Sequence, residues 1–174
     1  PNYFGMVSQI DGQRSSSDSD GHTNRSTVSL EIQNVDINAG TLDIYMINEE
    51  AVGGFQFELI GITVSNASGG TAAEAGFIVN TSATTVLGFS MTGSTIPPGE
   101  SLLTTVSFTD FGGTDICFGE DTGSAGNTAI ADADGNYIAA DWGECYCTSF
   151  AEGTCDCEGS LPDIECGEGT ALEG

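Results

Sequence analysis

Residues 41–60 read TLDIYMINEEAVGGFQFELI, and two runs inside them decide the fold. Leu42, Ile44 and Met46 alternate with Asp43 and Tyr45, and Phe55, Phe57 and Leu59 alternate with Gln56 and Glu58. An apolar period of two marks a strand with one dry face and one wet face. The connector from Asn48 to Gly54 is short, acidic and Gly-bearing, which predicts an antiparallel hairpin. Two strands do not stand alone in water, so the aromatic face predicts a second sheet packed over it.

The neighbouring sequence supplies that sheet. Val28 to Ile37 is a strand whose apolar phase slips after position 32, predicting a bulge near Asn34. Downstream, Gly61–Ser65, Phe77–Val79, Thr85–Met91, Leu102–Phe108, Ile116–Phe118, Asn127–Ala131 and Tyr137–Ala140 read as strands. On the third of these, Thr85, Leu87, Phe89 and Met91 share one side. Residues 71–75 suggest a single helical turn, and Ile96-Pro-Pro-Gly99 and Asp134-Gly135 suggest turns. About ten short strands at turn-punctuated spacing indicate an all-β, antiparallel β-sandwich.

The strand Val28-Ser-Leu-Glu-Ile32, the strand ending at Asn48 and the string Val52-Gly-Gly-Phe-Gln-Phe57 resemble the opening of a cohesin-type module. The resemblance covers residues from Ser26 to Ala140. It implies a jelly-roll sandwich on an extracellular scaffold that binds a protein partner through one sheet face. Gly61-Ile-Thr-Val64 stands where that family carries an extended loop, and the family has no counterpart to the two ends of this chain.

Three segments follow: residues 1–27, an N-terminal strand and polar linker; residues 28–142, the sandwich; and residues 143–174, a Cys-rich appendage. Residues 11–27 are Ser/Asp-rich and aperiodic, and fully extended they would span roughly 55–60 Å. Before them, Phe4, Met6 and Ile10 alternate with Gly5, Val7 and Gln9. A long structureless loop is improbable inside a compact domain and ordinary between subunits. Tyr3, Phe4, Met6, Val7 and Ile10 are therefore expected to add as a donor strand to a second copy, head to tail, building a fibre. The alternative is an edge strand held within its own sandwich.

Twenty-six acidic residues against Arg14 and Arg25, with no Lys, give a net charge of −24. Such a surface excludes nucleic acid and anionic membranes as partners, and no apolar run is long enough to insert in a bilayer. Six Cys indicate an oxidising compartment, and a chain opening at Pro1 without a signal peptide fits a processed, secreted or surface-displayed protein.

Cys117, Cys145, Cys147, Cys155, Cys157 and Cys166 are expected to form disulfides, stapling an appendage too poor in apolar residues to fold unaided. Six Cys allow 15 connectivities and the sequence does not choose among them: Cys117 with Cys166, and Cys117 with Cys145 or Cys147, are equally open. The C-x-C spacing and a lone His22 in the linker do not suit zinc. Asn24, Asn66 and Asn80 head N-glycosylation triplets, so covalent glycans are expected. Asp132, Asp134 and Asn136 resemble part of a calcium loop, but position twelve of that loop is Gly143 rather than Glu, and no cofactor is predicted. No nucleophile–base set, phosphate loop or aromatic-lined carboxylate cleft is discernible, so the chain is not read as an enzyme. The function indicated is a glycosylated fibre subunit whose partners are copies of itself. The alternative is a monomeric recognition module on a secreted scaffold.

Overall fold

The structure is a computed structural model, and it describes residues 27–121, 123 and 128–148. These form twelve strands and one short helix. In chain order they are β1 (Val28–Asp36), β2 (Thr41–Asn48), β3 (Gly54–Ile60), β4 (Thr63–Ser68), α1 (Gly70–Glu74), β5 (Ile78–Thr81) and β6 (Thr85–Phe89). There follow β7 (Gly99–Thr109), β8 (Asp115–Phe118), β9 (Ala129–Ala131), β10 (Tyr137–Ile138), β11 (Ala140–Trp142) and β12 (Tyr146–Cys147). The first sheet runs β11-β1-β2-β7-β4; the second runs β10-β9-β3-β6-β5, with β8 pairing both β3 and β12. All pairings are antiparallel except β1 with β11. The chain passes repeatedly from one sheet to the other, giving the jelly-roll β-sandwich expected from the sequence.

The predicted hairpin is not formed. β2 pairs with β1 and β7 in one sheet, while β3 pairs with β6, β8 and β9 in the other. Leu42, Ile44 and Met46 therefore enter the core from one layer, and Phe55, Phe57 and Leu59 from the other, all fully buried or nearly so. Alternation specifies a dry face but not which strand shares its ladder. The connector crosses between sheets because its own polar groups hold it there. The Asn48 amide donates to the Glu50 and Pro97 carbonyls at 2.7 and 3.1 Å, and Val52 bridges to Ile96.

Aromatic rings string through the core. Phe55 stacks between Phe77 and Phe57 at 6.0 and 5.9 Å. Phe57 meets Phe118 edge-on at 5.7 Å, and Phe118 lies 5.4 Å from Trp142. The bulge near Asn34 is present: the β1–β2 register shifts between Gln33 and Asp36, and Asn34 adopts φ 49°. After β11 the chain leaves the first sheet, with Gly143 N–H donating to the Leu30 carbonyl, and β12 joins β8 of the second. The Cys117–Cys145 disulfide fixes that crossing, one of the pairings the sequence left open. Cys147 is also disulfide-bonded, to a partner outside the described residues.

Candidate functional site on the outer face of the second sheet

β6 carries the unexpected feature. Its more apolar side is turned away from the core: Val86 and Gly88 are buried, while Leu87 and Phe89 are only half-buried on the outside. Ordinary burial would favour the reverse. The cause is Phe55 on the neighbouring strand. A Cβ at Gly88 would lie 2.2 Å from the Phe55 ring, so the ring occupies the space a side chain on β6 would need. Facing a glycine inward makes room for Phe55 and sends Leu87 and Phe89 out.

Strand register places these residues in rows. Pairing of Tyr137 with Ala131, Ala131 with Gly54, Gly54 with Phe89, and Phe89 with Ile78 makes one row across all five strands. The next outward row is Ala129, Gln56, Leu87 and Asn80. Neither row contains a charge, in a chain with 26 acidic residues. Small residues at Gly54, Ala129 and Ala131 leave a groove of about 230 Å³ between Tyr137 at one end and Leu87 and Phe89 at the other. Ile78 and Tyr137 are 44% and 40% exposed, and Met91, just beyond β6, is 76% exposed. Carboxylates border the floor: Glu58 lies one row further along β3, and Asp132 and Asp134 occupy the β9–β10 turn.

Tyr137 is held in place. Its hydroxyl donates to Asp121 Oδ2 at 3.0 Å, and Trp142 Nε1 donates to the same oxygen at 2.7 Å. One carboxylate thereby ties the edge strand of each sheet together. Burial and then the Asp121 carboxylate raise the Tyr137 pKa above the ordinary tyrosine value.

The residues singled out in the sequence fall into three groups. Asn66 and Asn80 are exposed on β4 and β5. Asp132, Asp134 and Asn136 form a closed turn. Asp132 Oδ1 accepts the Asp134 and Asn136 N–H groups at 2.8 Å each, and Oδ2 accepts the Asn136 amide at 2.9 Å. These bonds, the Asn136 side chain foremost, lower the Asp132 pKa, and they engage both oxygens of the carboxylate. The other cluster with metal-ligand spacing, Asp115, Cys117 and Cys145, contains two sulfurs already joined to each other, leaving one carboxylate. Tyr3, Phe4, Met6, Val7, Ile10, Asn24, Cys155, Cys157 and Cys166 lie outside the described residues. Among the described residues, no helix is long and apolar enough to cross a membrane. The outer groove was missed from sequence, although the side Thr85, Leu87, Phe89 and Met91 was visible as a pattern.

No family model matches the chain, and no curated protein matches it. Among solved structures, it is similar to a chain in the crystal structure of a CaDoc0917–CaCohA2 complex. The identity is 19% and the TM-score 0.47, over 66% of this chain and 94% of that one. A likeness at that level adds nothing to the topology described above and says nothing of function.

Proposed function

We propose that this chain is a non-catalytic, extracellular protein-recognition module that docks a partner on the outer face of its second sheet. The supporting observation is the outward apolar side of β6 beside an uncharged floor, in a molecule otherwise crowded with carboxylates. Solvent-facing apolar rows of this kind mark interaction surfaces. The partner inferred is a protein segment with apolar anchors flanked by Lys or Arg. Its anchors would fill the groove between Leu87, Phe89 and Tyr137, and its charges would meet Glu58, Asp132 and Asp134. Leu87 and Phe89 are already half-buried, so completing their burial would contribute about 1 kcal/mol each. Four strand spacings make the face about 19 Å across, room for one helix or one extended segment.

The second reading keeps the fibre: residues 3–10 of a neighbouring copy would be the docked segment. Two observations favour it. The described residues from Val28 onward form a continuous apolar core, and residues 1–10 carry no acidic side chain to repel an acidic surface. Glycans and carboxylates would then separate fibre flanks.

Affinity capture from the secreted fraction of the source organism separates these readings. A Leu87→Asp/Phe89→Asp variant should lose the captured protein while keeping its thermal midpoint, and deletion of residues 1–10 should leave capture unchanged. Capture that survives the double substitution would exclude this face. Assemblies of the chain itself that dissolve on deletion of residues 1–10 would support the fibre.

A further inference from the structure

We propose that Asn66 and Asn80 are N-glycosylation sites whose sugars shield the two open sheet edges on one flank of the sandwich. Each heads an Asn-x-Ser triplet, Asn66-Ala67-Ser68 and Asn80-Thr81-Ser82, and each asparagine is exposed. Their positions are not scattered. β4 is the terminal strand of the first sheet, and β5 is the terminal strand of the second. The two strands lie against each other on the same flank, joined in sequence through α1.

A terminal strand presents unpaired backbone donors and acceptors that invite a foreign strand, and proteins ordinarily blunt it with charge, proline or cover. This chain has charge in abundance yet withholds it here. From Leu59 to Gly99 the only acidic residue is Glu74. β4 reads TVSNAS and β5 reads IVNT, with neither charge nor proline. Ile78 on β5 is 44% exposed. A bulge between Val64 and Asn66, and the Val64 N–H bonded to the Ala83 carbonyl at 2.8 Å, cover the start of β4; the rest of β4 and all of β5, without charge or proline, carry the triplets. A hydrated glycan on each would supply the missing bulk. The Asn80 glycan would also limit the outer face of the second sheet at its β5 side, because Asn80 lies in the same row as Leu87, leaving β9, β3 and β6 open. This inference does not depend on which partner occupies that face.

Peptide mass spectrometry of protein purified from its source tests the sites. Peptides containing Asn66 and Asn80 should both carry a glycan mass; either asparagine found only unmodified overturns the proposal. The shielding role is tested in the same host by sedimentation velocity against wild type. An Asn66→Gln/Asn80→Gln variant should self-associate at a concentration at least tenfold lower, and an Asn66→Asp/Asn80→Asp variant, equally without sugar but with charged edges, should return to wild-type behaviour. A Gln variant as monodisperse as wild type, or an Asp variant that associates as the Gln variant does, overturns shielding.

Discussion

Gly88 decides which side of β6 meets the core. The ring of Phe55 fills the space a Cβ there would need, and it is stacked on both sides by Phe57 and Phe77, so it has little freedom to step aside. Gly88→Ala is expected to destabilise by about 1–3 kcal/mol, and Phe55→Ala by about 3–5 kcal/mol. The double variant should lose less than the sum, since truncating the ring vacates the contested volume. Urea midpoints check this, and strictly additive losses would show that the two residues do not compete for space. Tyr137 offers a second test. Its raised pKa means that its contribution to stability is present below the ordinary tyrosine value near 10 and lost as pH rises through the folded value. Ultraviolet titration of the phenolate should show the midpoint falling toward the ordinary value in Asp121→Asn; an unchanged midpoint would assign the shift to burial alone. At this scale the dry faces of β2 and β3 were legible, because each strand alternates cleanly. The sense of β6 was not. Glycine adds nothing to a hydrophobic pattern, and the ring that claims its space comes from a distant strand.

Among the elements, the passage from β2 to β3 shows what alternation leaves open. A hairpin and a crossing both give each strand one buried face, and a short Gly-bearing connector serves either. The Asn48 side chain and the Val52–Ile96 bridge choose the crossing, and both depend on a turn nearly fifty positions away along the chain. The existence of β1 to β10, the β1 bulge and the helical turn were readable from local pattern; β11 and β12, short and held by pairing with β1 and β8, were not, and sheet membership needed long-range contacts. The second crossing, from β11 to β12, is held by covalent chemistry. Cys117 and Cys145 close a loop of 28 residues, worth roughly 3–4 kcal/mol by loop-closure entropy. A Cys117→Ser/Cys145→Ser variant should therefore speed amide exchange across Ala140–Thr148 and leave β2, β3 and β7 protected. Loss of protection throughout would show that the sandwich depends on this bridge.

At the scale of the whole molecule, charge and its absence divide the surface. The net charge of −24 resists close approach of two copies through most faces. The stretch from Leu59 to Gly99, nearly free of acids, builds β4, β5 and β6, and with them both triplet-bearing edges and the apolar side of the outer face. The charge count was readable at once from composition. Its gap became meaningful only when the topology set these strands on one flank and one face. The central claim is that this outer face is occupied by a protein in the native setting. The most direct measurement is photo-cross-linking in the source organism, with a photoreactive amino acid replacing Leu87 or Phe89 and, as a control on the first sheet, Ser107. The account predicts covalent protein adducts from positions 87 and 89 and none from 107, with peptide masses identifying the partner as another protein or another copy. Absence of adducts from both test positions, or the same adducts from position 107, would contradict it.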